Sequence, residues 1–302
     1  MKVDLYSSPR VLSLSLSNVC SAKCIWCPLG RGEYKHRDNR FLPTDIVDKL
    51  IKDMKDLPIG EVWFSENGEG LLNPNFEEIV TKCRVSFPKA VFATSTNLHL
   101  LTEEKARFIL SNDFMWFGCN LDGMSQEAYG AVKGLNVENA KKNLSRFIKL
   151  RRELEKKCEL HLDVLTQPDY YRQIGEPEKI TVRDETLDVF RWAKNNLDWG
   201  RMDWVMRPFA LTWAEREKWN KPRMVDEGWC IGLPIVGRKF FVDTDGGVYG
   251  CCLDFNTDYC FGNVLEETVM EIWNGARRRE FVDNLFRRRY ENIGKPCELC
   301  HD

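Results

Sequence analysis

Hydrophobic positions along the first two thirds of the chain alternate between two patterns. Short apolar runs, read as strands, fall at Val11–Ser17, Glu61–Ser65, Ala90–Thr94, Met115–Leu121, Glu159–Leu165 and Trp204–Arg207. Between them lie stretches with apolar residues three and four apart, which predict helices at Asp45–Met54, Phe76–Val85, Glu103–Leu110, Val137–Lys156 and Asp184–Asn195. Start signals agree, among them Thr102 ahead of Glu103-Glu104 and Asn75 ahead of Phe76-Glu77-Glu78. Strands spaced by helices of ten to twenty residues imply βα units and a parallel sheet. Six such units predict an α/β fold, a partial (β/α)6 barrel whose site lies in the loops after the strands.

The pattern changes after Ala210. Residues 213–229 are polar with three tryptophans, and a β-hairpin follows, Lys239–Val242 and Val248–Cys252 around Asp243-Thr-Asp-Gly-Gly247. A long helix is expected over Leu265–Arg288, ahead of a terminal Cys297-Glu-Leu-Cys300. The expected division is a core at 1–208 and a small hairpin-plus-helix domain at 209–302.

Composition narrows the function classes. The 302 residues are 43% hydrophobic and 30% charged, a globular composition with length for a full core. A net charge of −2 argues against a phosphate backbone as partner, so nucleic acid is not expected. The start carries no apolar signal segment and no run of about eighteen apolar residues occurs, so the expected location is the cytoplasm. Twelve cysteines in such a chain suggest metal ligation rather than disulfides. Cys83, Cys119 and Cys158 lie scattered, as buried thiols do, while the others group near the two ends.

The first group is the most telling. Cys20, Cys24 and Cys27 stand as C-x3-C-x2-C directly after the first strand. Three thiolates so close can hold a cubane iron–sulfur cluster and leave one iron free to bind something else. No fourth cysteine follows until Cys83. This spacing, with Trp26 before the third cysteine, resembles the signature of radical S-adenosylmethionine (radical SAM) enzymes. The resemblance implies S-adenosylmethionine on the open iron and its reductive cleavage to a 5′-deoxyadenosyl radical. It also implies a reducing partner such as flavodoxin or ferredoxin.

Further residues carry the resemblance onward. Glu66-Asn-Gly-Glu-Gly70 is similar to the family's G-G-E-P loop, keeping Gly68 and Glu69 but holding Asn67 and Gly70 where the family has glycine and proline. Ser95, Asn97, Asn120 and Asp122 fall at strand ends where the family meets the ribose and methionine groups; Asn97 and Asp122 also suit turns. Thr166 and Arg207 end later strands and are weaker candidates. Cys230, Cys251, Cys297 and Cys300 could hold zinc or a second cluster. The spacing Cys230-x15-Gly246-x4-Cys251, with Phe261-Gly-Asn-Val264, resembles the SPASM and twitch extensions, which implies a second 4Fe–4S cluster. Cys252 and Cys260 are then spare, either small packing residues or a thiol that returns a hydrogen atom to a substrate radical. The expected reaction is hydrogen abstraction from a small hydroxylated, sugar-like or antibiotic-pathway metabolite and its epimerisation. The alternatives are dehydrogenation of an alcohol with the second cluster as electron acceptor, or modification of a peptide. About ten residues precede the first strand, too few for a leader-binding domain there.

Overall fold

The computed structural model describes residues 7–33, 40–198, 203–206, 236–251, 254, 258–294 and 297. Six parallel strands run β1 (Val11–Leu14), β2 (Glu61–Trp63), β3 (Val91–Thr96), β4 (Phe114–Asn120), β5 (Glu159–Asp163) and β6 (Trp204–Met206). Seven helices lie between or after them: α1 (Thr44–Met54), α2 (Phe76–Ser86), α3 (Glu103–Ser111), α4 (Gln126–Lys133), α5 (Val137–Glu153), α6 (Gln167–Gln173) and α7 (Thr186–Asn196). The expected strands and helices are present with shifted ends. Two helices were not expected: α4, capped by Ser125 and ended by left-handed Gly134, and α6, capped by Thr166. Each is only eight residues or fewer, too short to display a helical period.

The sheet is open and continues beyond the barrel strands. Its order is β6-β5-β4-β3-β2-β1-β7-β8-β9, with β7 (Lys239–Val242) parallel to β1. The hairpin strand β8 (Gly247–Tyr249) and the third strand β9 (Cys260–Asn263), which was not expected, run antiparallel. The hairpin region thus extends the same sheet; the expected boundary near residue 208 lies outside the described residues. The long helix over Leu265–Arg288 is instead two, α8 (Val269–Trp273) and α9 (Ala276–Phe286). Asn274-Gly275 breaks the pattern, since glycine gives up helical stability and caps the next helix in extended backbone.

Strand alternation divides the sheet into two unlike faces. Leu12, Leu14, Val62, Phe92, Phe117, Leu160, Phe240 and Val242 point to the helices and are 0–1% exposed. Ser13, Trp63, Ser95, Trp116, His161, Asp163 and Lys239 alternate with them and so face the concave side. A closed barrel of this size fills its interior with branched apolar residues. Here hydroxyls, tryptophans and charges line it instead.

The outer edge is pinned by a buried ion pair. Arg151 at the end of α5 donates to Asp203 (Nη2–Oδ2 2.7 Å) ahead of β6, and to Asp198 at 2.8 Å. Arg151 and Asp203 side chains are 2% and 0% exposed. Asp203→Asn leaves Arg151 only the partly exposed Asp198 as counter-charge and weakens a charged hydrogen bond, so it is expected to cost about 1.5–3 kcal/mol. Urea unfolding of the apo-protein checks this; a loss within about 0.5 kcal/mol, as at an ordinary surface position, contradicts it.

Candidate functional site

Polar side chains gather where β1–β5 end. The cysteine loop leaves β1 and is held against α4 by its backbone: Lys23 N donates to Lys133 O at 2.8 Å and Ile25 N to Val132 O at 3.1 Å. Gly30 lets the loop fold back on itself, for a Cβ there would lie 2.5 Å from Cys24 N. Cys20, Cys24 and Cys27 share this loop, each half-buried. Among the described residues no three His, Cys, Asp or Glu side chains converge as ligands of a single metal ion do. A cubane does not require that, because each cysteine meets a different iron.

Below the loop, β2 runs into Glu66-Asn-Gly-Glu69. Gly68 has φ +66°, and a Cβ would stand 2.3 Å from Ser17 O. Only glycine permits that approach of the bend to β1. Glu69 is buried; its oxygens accept Leu71 N at 3.2 Å and Asn97 N at 2.8 Å, while its own N–H donates to Val19 O at 2.9 Å. Burial pushes the Glu69 carboxyl above the usual range despite these donors. Asn97, past the end of β3, donates its side-chain amide to Ser21 Oγ at 3.1 Å and Cys20 Sγ at 3.5 Å. One asparagine therefore joins the cysteine loop to the Glu69 bend.

The third support is a buried pair. Lys133, the last residue of α4, lies 3.0 Å from Asp122 Oδ2, with side chains 3% and 0% exposed. Asp122 Oδ1 also accepts Leu165 N at 2.8 Å. Although burial alone lowers a lysine, Asp122 and Cys24 hold Lys133 protonated. Its ammonium sits 5.6 Å from the Trp26 ring, which packs on Tyr170 of α6. Burial pushes the Cys24 thiol up to about 11, against the pull of Lys133. Burial, aided by Glu69, also raises Cys20.

The other expected residues are placed as follows. Ser95 is exposed on the concave face, its N–H donating to Ser65 Oγ at 2.9 Å. Asn120 ends β4 in register with Asp163. Thr166 is buried and spends its hydroxyl capping Asp169 N at 3.3 Å. Cys251 follows β8 and is half-buried, Cys297 is buried in the core, and Cys260 opens β9 with its thiol donating to Gly262 O at 3.2 Å. Arg207, Cys230, Cys252 and Cys300 lie outside the described residues.

The donor set fits an iron–sulfur cluster and a cationic, polar cofactor beside it. Three half-buried thiols on one loop suit iron, whose charge offsets the burial that raises Cys20 and Cys24. The Asn67 Nδ2 is buried with no hydrogen-bond partner among the described residues, in a bend that glycine holds against β1. A profile of the radical SAM superfamily matches residues 14–166, just over half the chain. The chain belongs to the radical SAM superfamily. A second profile, the SPASM iron–sulfur cluster-binding domain, matches residues 230–301. This radical SAM protein accordingly uses S-adenosylmethionine and 4Fe–4S clusters, as its two matched regions imply.

Relatives are distant but cover most of the chain. A cysteine-type anaerobic sulfatase-maturating enzyme of Clostridium perfringens is 21% identical, over 94% of this chain and 84% of its own. The fold is similar to BtrN crystallised with AdoMet and 2-DOIA, with TM-score 0.59 and 16% identity over 94% and 89% of the two chains. It is also similar to Streptococcus suis SuiB bound to precursor peptide SuiA, with TM-score 0.60 and 15% identity over 92% and 68%. Among the described residues no helix is long and apolar enough to cross a membrane.

Three groups escaped the sequence reading: Lys133, Asp163 and the Lys239–Glu66 pair described below. Asp163 is the clearest. Burial, then the Asp122 charge, pushes its carboxyl up to about 6, and Oδ1 has no hydrogen-bond partner among the described residues. The signal was available only as an acidic last residue on β5. Because the folded state resists ionising Asp163, wild-type protein loses stability from this group as pH rises from about 4 to about 6. Asp163→Asn removes that loss. Relative to its effect at pH 4, the variant is expected to gain about 1–3 kcal/mol at pH 7 in urea unfolding of ligand-free protein. An equal effect at both pH values contradicts the assignment.

Proposed function

We propose that this enzyme removes a hydrogen atom from a carbon of a small hydroxylated metabolite, sugar-like or from an antibiotic pathway, and inverts that carbon. Cys20, Cys24 and Cys27 hold the catalytic cluster; Trp26, Gly68, Glu69, Ser95, Asn97, Asn120, Asp122 and Thr166, with Arg207, surround S-adenosylmethionine. Cys230, Cys251, Cys297 and Cys300 hold the second cluster in a C-terminal part spanning about 209–302. When bound, the cluster and S-adenosylmethionine together supply the 5′-deoxyadenosyl radical, which acid–base side chains cannot replace. The carrying observation is the Asn97 junction, where one side chain meets both Cys20 Sγ and Ser21 Oγ while its backbone meets Glu69. That junction fixes the cofactor loop and the cysteine loop as one unit.

The chain's own residues then decide the outcome. A cysteine, Cys260 or Cys252, returns a hydrogen atom to the opposite face, and the thiyl radical left behind is restored by one electron from the reducing partner and a proton. The Cys260 thiol rests on Gly262 O at 3.2 Å, so donation requires it to leave that carbonyl and turn to the substrate. Asp163 favours a second reading, dehydrogenation of an alcohol to a ketone. Its half-buried carboxylate, with an oxygen free among the described residues, could take the hydroxyl proton while the second cluster takes the electron. Peptide modification is the third reading, favoured by the likeness to SuiB with its precursor peptide and to the sulfatase-maturating enzyme.

Anaerobic turnover of polyhydroxylated ring substrates in deuterated water separates these. Inversion places one deuterium on the inverted carbon, and Cys260→Ala or Cys252→Ala abolishes inversion while 5′-deoxyadenosine still forms. Normal inversion by both variants overturns the thiol donor. A product lighter by two hydrogens, lost on Asp163→Asn, establishes dehydrogenation instead.

A further inference from the structure

One buried charge pair on the concave face includes the first residue of the cofactor bend, Glu66, but takes no part in the hydrogen bonds by which Glu69 holds that bend. Lys239 opens β7 and Glu66 follows β2, on either side of β1; Lys239 Nζ lies 3.6 Å from Glu66 Oε1, with side chains 10% and 6% exposed. Ser13 of β1, between them, donates its hydroxyl to the same oxygen. The Lys239 ammonium stands 4.2 Å from the Trp63 ring centroid and 5.1 Å from that of Phe241. Trp63 meets Trp116 edge-on at 5.3 Å, and Trp116 lies 6.1 Å from His161. As a source of stability such a pair is poor, because desolvation consumes most of the attraction.

The next level of the sheet above the tryptophans is nearly bare. Ser95 on β3 and Gly118 on β4 occupy it, with Ser15 and Ser65 just past the ends of β1 and β2, and His161 closes it on β5 in register with Gly118. A Cβ at Gly118 would come 3.0 Å from Ser95 Cβ. Ser95 is exposed although β3 has strands on both sides and helices on its other face, so it opens onto a hollow on the concave side. Ser15 Oγ and Tyr249 OH, 2.9 Å apart, form its wall toward β8. The hollow therefore lies between the cofactor-end residues Asn120 and Asp163 and the tryptophans.

We propose that Lys239 and Glu66, with Ser13, are the substrate anchor and select a neutral polyhydroxylated ring, a sugar or cyclitol. This rests on the reading under Proposed function and narrows its substrate class. The pair offers one donor and one acceptor side by side, which matches two neighbouring hydroxyls. Its net charge is zero, so a phosphate or ammonium set against the pair finds no net counter-charge there. Trp63 and Trp116 present apolar ring surface to the C–H face of a sugar ring.

Ligand-observed NMR with holoenzyme tests this, using myo-inositol and glucose as neutral probes, glucosamine as cation and glucose-6-phosphate as anion. Wild type should bind the neutral rings best. Glu66→Gln leaves Lys239 unpaired and should shift preference toward the phosphate, and Lys239→Met toward the amine, each by about tenfold. The double variant E66Q/K239M, which strands no charge and so guards against misfolding of the single variants, should weaken neutral binding by about tenfold. An unchanged ranking across the single variants, or unchanged affinity in the double variant, overturns the anchor. Wild type that cleaves S-adenosylmethionine yet binds no neutral ring overturns the anchor and leaves the radical chemistry standing. Wild type that cannot cleave S-adenosylmethionine overturns the functional reading itself.

Discussion

The site depends on keeping one positive charge buried beside a loop of thiols. Lys133 and Asp122 are almost wholly out of water and 3.0 Å apart, a costly arrangement unless both stay paired. Their backbones do the fixing. The end of α4 receives the N–H groups of Lys23 and Ile25, and Asp122 holds the turn after β5 through Leu165 N. Cysteine loop, β4, β5 and α6 thus meet at one buried pair. A cluster carried on thiolates is anionic, and an ammonium this close favours it electrostatically.

From that junction outward the molecule separates packing from chemistry by strand parity. The convex residues are apolar and sealed under helices, which leaves the concave residues free to be hydroxyls, aromatics and acids. Extending the sheet past β1 by β7 brings Lys239 and Phe241 onto the same concave face. The C-terminal region therefore contributes side chains to the concave face, besides carrying its own cysteines.

Much of this was legible in the sequence, and the reasons it was or was not are physical. The six βα units announced themselves because apolar runs and helical periods differ over eight or more residues. The cysteine frame and Gly68-Glu69 were legible because close spacing needs no knowledge of the fold. Helices α4 and α6 were missed because a turn or two of helix shows no period. The expected helix over Leu265–Arg288 is two because Gly275 interrupts it, although apolar residues on both sides keep helical spacing. Lys133, Asp163 and Lys239–Glu66 were invisible for another reason: residues distant in the chain meet only through the register of the sheet. Parity within a strand is plain in sequence, but which parity faces the hollow is not.

The central claim is that two separate groups of cysteines each carry a cluster, the first of them set by the Cys20–Cys27 loop. Iron content and EPR of anaerobically reconstituted protein test it most directly, comparing wild type with the Cys20/Cys24/Cys27→Ala triple variant. The account predicts that the variant keeps about half the iron, as one remaining cubane requires, and loses every EPR change caused by S-adenosylmethionine. Unchanged iron in the variant, or a response to S-adenosylmethionine that survives in it, contradicts the account.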